Sequence, residues 1–277
     1  YMEKVLEYVN NSFESAEEQA AFDVYDANNI NPLYGFFVAR AGLGASESMR
    51  SKLAEYNDPR LSRAFITKQG TSGKEQAPGT ADNAVYAPNG TPEQGTSKYG
   101  TSLFMYSISA PTLLLSYHEL KFLEAEALCR LERDAKSALK DAVVAGLLNA
   151  ENSFTISRKE LGKTLINAAS SITEAEAESY FDNTIEAKYT AEPLKTTMTQ
   201  KYFALWGASG EATESYNDVR RMKGLGENFI ELKNPNSFPL RCPYGNSDTT
   251  TNAEVKAAYG NGQYVYSENV WWAGGSR

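Results

Sequence analysis

Apolar positions at helical spacing organise most of this chain. Residues 1 to 27 carry Tyr8, Val9, Phe13, Phe22 and Val24 among acidic residues and alanines, and they read as helical. Asn28-Asn29-Ile30-Asn31-Pro32 stops that run, because asparagine favours turns and proline cannot continue a helix. Ser46 to Tyr56 predicts a second helix, capped by Ser46 and ended by Asn57-Asp58-Pro59, with Met49, Leu53 and Tyr56 at helical spacing. The strongest period covers Pro111 to Arg133, where Leu113, Tyr117, Leu120, Leu123, Leu128 and Leu131 approximate one face. After a break at Glu132 to Asp134, a further helix is expected over Ala135 to Asn149, with Ala138, Leu139, Ala142, Val143 and Gly146. Thr173 to Lys188 opens with Thr173 and Glu176 in capping-box relation. Pro193 to Gly207 and Glu211 to Lys223 form a last pair, split by Gly207 and Gly210.

Two stretches break the pattern. From about Gly70 to Gly100, Gly, Thr, Pro, Asn and Gln dominate, which predicts a long surface loop. Residues 234 to 277 are rich in Pro, Gly, Asn and Tyr, with only Ala253 to Tyr259 reading as helical. The alanine-lined pair at 111–149 resembles a tetratricopeptide-type hairpin, in which small residues let helices approach, although no strict period of about 34 residues is present. The expected fold is therefore all-α, built of tetratricopeptide-related hairpins with long irregular loops and an extended C-terminal tail. Residues 1–277 are expected to form one helical body, with 70–100 a loop insertion and 234–277 draped over the helices, pinned by Phe238, Tyr244, Trp271 and Trp272.

Composition narrows the function classes. The formal charge is −8 and the basic residues are scattered, whereas phosphate backbones demand clustered Lys and Arg. Nucleic acid and anionic lipid surfaces are thus disfavoured. No run of about 18 consecutive apolar residues occurs, so no transmembrane helix is encoded, and no export signal is visible. Opening at Tyr1 suggests a chain cut from a longer precursor, with any anchor upstream. Cys129 and Cys242 are far apart and His118 is the only histidine. That is too few ligands for zinc, and two buried thiols are expected. No metal and no cofactor is expected. The aromatics are plentiful, with 17 Tyr, 12 Phe and 3 Trp, and tyrosine combines a flat apolar face with a hydroxyl suited to sugars.

Four segments, in order, resemble the SusD/RagB family of Bacteroidetes, in its SusD-like branch. They are Tyr56-Asn57-Asp58-Pro59-Arg60-Leu61; PTLLLSYHELKFLEAEALCR from Pro111 to Arg130; Trp206 to Met222 with Glu211 and Arg220-Arg221; and Phe238-Pro239-Leu240-Arg241-Cys242-Pro243-Tyr244, followed by Asn252 and Trp271-Trp272. The chain departs from the family pattern at Cys242 and Thr213, and the family's amino-terminal portion has no counterpart in it. The resemblance implies a non-catalytic subunit that binds an oligosaccharide at the outer membrane's outward face. It also implies a lipid anchor upstream of this sequence, and delivery of the ligand to a TonB-dependent SusC-like transporter.

Sugar recognition without catalysis needs aromatic faces beside hydrogen-bonding groups. The loop candidates are Tyr34 beside Asn31, Tyr86 beside Asn83 and Asn89, and Tyr99. Each tyrosine has the plainer alternative of anchoring its own loop. Trp271 and Trp272 are expected to be buried, since adjacent extended residues cannot face the same way. Arg220 or Arg221 is expected to pair with Glu211, Glu214 or Asp218. Glu124 with Glu126, or Glu174, Glu176 and Glu178, would be a glycosidase's acid pair only if two converged on one bond. A spacing of two on a helix sends side chains to different faces, so solvated positions and a non-enzyme are expected. The lone His118 reads as packed and hydrogen-bonded. A helical-repeat scaffold that binds a peptide or partner protein is the alternative.

Overall fold

The computed structural model describes residues 1–40, 44–69, 75–78, 86–90, 99–162, 170–233 and 237–275. It divides into two compact units, Tyr1–Glu231 and Leu232–Arg277.

In the first unit, α4 (Tyr117–Arg130) and α5 (Lys136–Leu161) form the central hairpin, with α8 (Pro193–Ala204) packed against both. The Ser116 hydroxyl starts α4 by accepting the Glu119 N–H at 3.0 Å. Glu132, at φ 55°, turns the chain between α4 and α5. The inward face of α5 repeats every three or four residues through Ala138, Leu139, Ala142, Val143, Gly146, Leu147, Ala150 and Phe154, all buried. Small residues on that face let the helices come close: a Cβ at Gly146 would lie 2.9 Å from that of Ala204. The expected tetratricopeptide-like packing is thus present, and the all-α class holds.

The remaining elements wrap this hairpin. They are α1 (Met2–Val9), which packs on α4, then α2 (Pro32–Arg40), α3 (Glu47–Glu55) and α9 (Glu214–Gly224). Two small antiparallel sheets join them. β1 (Ala20–Phe22) pairs with β5 (Thr112–Leu115), and β3 (Glu75–Pro78), β2 (Phe65–Gln69) and β4 (Thr101–Ser102) lie in that order. Only Met2–Val9 of the first 27 residues is α-helical, because Ala20–Phe22 is drawn into pairing with β5. The same pairing takes Thr112–Leu115 out of the helix expected from Pro111. Within the loop expected at 70–100, Glu75–Pro78 is a strand of the second sheet, and much of the rest lies outside the described residues.

The helix expected over Thr173 to Lys188 is interrupted. α6 (Glu174–Tyr180) and α7 (Glu186–Ala191) are joined by a π turn at Phe181–Ile185. The reason is geometric. Ala177, Phe181, Ile185 and Tyr189 are all buried and spaced by four, a repeat that would drift by about 40° per step on a straight α-helix. The wide turn keeps them on one side.

A buried ion pair ties these layers together. Asp58 and Arg60 are each 2% exposed. The Arg60 guanidinium donates to both Asp58 oxygens, Nε at 2.8 Å and Nη2 at 2.6 Å, while Nη1 donates to the Phe203 carbonyl of α8 at 2.7 Å. The Tyr180 hydroxyl donates to Asp58 at 3.3 Å. Asn57, at φ 49°, makes the turn that brings Asp58 inward.

The second unit holds α10 (Asn246–Thr251) and α11 (Ala253–Tyr259), the latter capped by Asn252. Tyr244 stacks on Tyr259 with ring centroids 4.3 Å apart. Trp271 and Trp272 are 71% and 68% exposed rather than buried. A 3-10 turn lets their rings meet edge to face at 5.4 Å. Cys242 is likewise exposed, and Cys129 is half-buried beside Thr197; both are free.

Removing the Arg60 side chain leaves Asp58 charged and buried. Arg60→Ala is expected to lower stability to urea by about 3–5 kcal/mol, with Arg60→Lys restoring only part of it, since lysine cannot grip two oxygens in one plane. Full rescue by lysine would show that charge alone holds the site.

Candidate functional site

An open cleft of ≈ 630 Å³ is walled by residues 14–19, the first turn of α4, the outer side of α5, and α6. That volume lies within the range of small-ligand sites. Val144, Ala145 and Leu148 of α5 give it an apolar floor, and Asn149 and Asn152 add side-chain amides. Tyr117 presents a half-buried ring. Its backbone N–H donates to Gln19 Oε1 at 3.2 Å, which ties the wall loop to α4, and Lys121 Nζ lies 5.7 Å from the ring centroid. Five carboxylates border the cleft: Glu14, Glu17, Asp141, Glu174 and Glu178. A hydrogen bond from Ser15 holds Glu17 below the usual carboxylate range. Burial raises Asp141, against the pull of Lys121. Lys140, the basic residue in the wall, is held by Asp182 at 2.8 and 2.9 Å.

The tyrosines and amides singled out in the sequence do not gather here. Asn31 is 2% exposed and caps α2, accepting the Leu33 N–H and donating to the Ala110 carbonyl, both at 2.8 Å. The cavity it borders, ≈ 10 Å³, has room for about one water. Tyr34 is half-buried and its hydroxyl donates to Glu160 at 3.2 Å. Tyr86 packs edge-on against Phe65 at 5.1 Å, and Asn89 accepts from the Ser46 hydroxyl at 3.0 Å. Tyr99 is 7% exposed. Asn83 lies outside the described residues. Tyr117, Asn149 and Asn152 do share a cleft, yet Tyr117 falls on the apolar face of the Pro111–Arg133 pattern, Asn149 ends the helix expected over Ala135–Asn149, and Asn152 lies beyond it.

Beneath the cleft lies a buried polar cluster. His118, next to Tyr117, is 1% exposed, and its Nε2 stands 3.8 Å from Glu211 Oε2 with no hydrogen-bond partner for either atom. It is packed as expected but not fully hydrogen-bonded. Burial, with the charges of Arg60 and Lys201, lowers His118 to about 3, so it is neutral. Glu211 accepts the Ser116 backbone N–H. Burial and a hydrogen bond to Glu211 push Glu119 up to about 8, against Lys201, whose Nζ is 3.7 Å away. Lys201 also pairs with Asp218 at 2.9 Å. Glu126, expected to be solvated, is 4% exposed and clamped between Arg130 and Arg221. Arg221 pairs with Asp218 as well, at 2.8 Å, as anticipated for that helix, while Arg220 lies over the Tyr216 ring. Among the described residues no group of His, Cys, Asp and Glu is arranged to hold a metal, and no helix is long and apolar enough to cross a membrane.

Fold and cleft define a helical-hairpin protein with an open cleft large enough for a small ligand. Residues 1–244 match the SusD-like family described as starch-binding and associating with the outer membrane. A SusD/RagB family protein from Bacteroides thetaiotaomicron is 64% identical with a TM-score of 0.89, covering 100% of this chain and 59% of that one. The chain belongs to the SusD/RagB family. A SusD homolog from Bacteroides fragilis (19% identity, TM-score 0.64, 96% of this chain and 60% of that one) shares the fold. So does a chitin-binding protein (19%, 0.57, 94% and 56%). The chain thus spans about three-fifths of the length of these solved relatives. No protein among those of curated function matches it.

The buried cluster makes stability depend on pH in two opposing ways. Glu119 rises from 4.5 to about 8 on folding, so its contribution is full below pH 4.5 and is lost as pH climbs through 8. His118 falls from 6.5 to about 3, so its contribution is full above pH 6.5 and is lost as pH drops through 3. Glu119→Gln is expected to flatten the decline of the unfolding free energy, read from urea titrations, between about pH 5 and pH 8, by up to about 1.4 kcal/mol per pH unit. Parallel profiles for variant and parent would show that Glu119 does not keep its proton.

Proposed function

We propose that this chain is the glycan-capturing part of an outer-membrane nutrient-uptake complex. It binds an oligosaccharide without cleaving it and passes it to a TonB-dependent SusC-like transporter. The reading includes a lipid-anchored, outward-facing precursor. The observation that carries it is the family match over residues 1–244, joined to a cleft that offers what a sugar requires. The Tyr117 ring suits the C–H face of a pyranose, and the amides of Asn149 and Asn152 suit its hydroxyls. The acids of the buried cluster are not placed for hydrolysis. Glu119 and Glu211 share a buried site, and Glu126 is clamped by two arginines, so none of them is free to act on a glycosidic bond. Modest affinity suffices, because tethering ligand site and channel together raises the effective concentration. Tyr34 and Tyr86, half-buried at the surface, remain secondary candidates for contact.

Isothermal titration of malto-oligosaccharides into the chain is expected to give saturable binding with no new reducing ends. Tyr117→Ala is expected to weaken binding about tenfold with an unchanged far-ultraviolet circular dichroism spectrum. Release of reducing sugar would overturn the non-catalytic reading, and undiminished binding by the variant would move the site elsewhere.

A further inference from the structure

A closed ring of hydrogen bonds surrounds the first turn of α4. The Ser116 hydroxyl accepts the Glu119 N–H at 3.0 Å, the Ser116 N–H donates to Glu211, and the Glu119 and Glu211 carboxyls bond to each other. Tyr117, the ring that faces the cleft, lies between Ser116 and Glu119 and so inside that closed path. The turn is held by Gln19 on the cleft side and by Glu211 on the interior side. Two ionised carboxylates cannot bond to each other, because each only accepts. A proton therefore lies between Glu119 and Glu211. The surroundings favour keeping it. Glu119 is 7% exposed and Glu211 2%. Lys201 of α8 and Glu214 of α9 act on Glu119, Asp218 of α9 pairs with Lys201, and α5 meets this end of α4 through the uncharged Gly146. Lys201 is drawn to Asp218 at 2.9 Å and stands 3.7 Å from Glu119. Arg221 joins Asp218 and Glu126 instead of the pair. His118, on which Arg60 acts from the turn after α3, is neutral, and its Nε2 stops 3.8 Å from Glu211 Oε2 without bonding it. Burial and the bond to Glu211 push Glu119 up to about 8. Above that pH two like charges face each other out of water. Glu211 is then driven from Glu119, and the Ser116 N–H either follows it or loses its acceptor. Both outcomes shift Tyr117 against the floor formed by Val144 and Leu148.

We propose that Glu211 is a positioning residue for the Tyr117 ring, and that the proton it shares with Glu119 latches the cleft in its binding shape. Neither acid lines the cleft; both act through the turn that carries Tyr117. The inference rests on the glycan reading above for its ligand.

Binding of maltohexaose to the full chain is expected to weaken by up to about tenfold between about pH 6.5 and about pH 9, as the shared proton is lost. Glu119→Gln keeps a donor toward Glu211 at every pH, so its profile is expected to be flat. Glu211→Gln still accepts the Ser116 N–H and can donate to Glu119, and it is expected to flatten the profile as well. Glu211→Ala, which removes the hold on Ser116, is expected to weaken binding at every pH. A second measurement needs no sugar. Amide-exchange protection at Ser116 and Glu119, taken relative to the buried Leu147 of α5, is expected to fall over the same pH range in the parent and to hold in Glu119→Gln. A flat binding profile in the parent, or parallel loss in parent and Glu119→Gln, overturns the latch while the glycan reading stands. If maltohexaose binds at no pH, the glycan reading falls and exchange decides the latch: protection lost in the parent alone upholds it, and equal protection in both overturns it.

Discussion

The guanidinium of Arg60 holds three separate parts of the first unit at one point. It grips Asp58 from the turn after α3, reaches the Phe203 carbonyl in α8, and shares Asp58 with Tyr180 at the end of α6. Taking two full charges out of water is costly, and only a fully bonded geometry makes it tolerable. That requirement works as specificity. Another docking of the turn after α3 against α8 would strand a charge, whereas sliding apolar faces alone would cost little. The Ala and Gly face of α5 then brings α4 and α8 close enough for the surrounding core to close.

On this frame, neighbouring residues of one helical turn take opposite duties. Tyr117 is turned to the cleft, and His118, one position on, reaches into the interior beside Glu211. The same turn is fixed twice, by Ser116 capping from within α4 and by Glu211 holding the Ser116 N–H from outside it. A binding surface gains from standing on so constrained a segment, because little order remains to be lost when a ligand arrives.

Much of this was readable from residue pattern. The Ser46 and Thr173 caps, the α4–α5 hairpin and the proline start of α8 follow from local rules that tertiary contacts did not override. What failed were segments whose partners lie far along the chain. Ala20–Phe22 has a helical composition, yet it pairs with Thr112–Leu115, far along the chain. Glu126 looks solvated until Arg221 arrives from α9. The candidate cleft is hard to read from sequence for a related reason. Loop tyrosines drew attention because loops often carry ligands, yet Tyr99 and Asn31 anchor the chain internally. The cleft instead uses the outer side of a helix, where nothing local separates a ligand contact from an ordinary polar position.

The π turn between α6 and α7 ties the length of one segment to the start of another. Tyr189, four residues past Ile185, receives the Ala135 N–H on its hydroxyl at 2.7 Å and donates to Asp134 at 3.1 Å. Loss of a single residue between 181 and 185 would restore an unbroken helix but rotate Tyr189 by about 100°, away from the place where α5 begins. Substitutions at the exposed Asp182 and Asn183 therefore leave that register in place, while an alignment gap inside the stretch would uncouple two helices far apart in sequence.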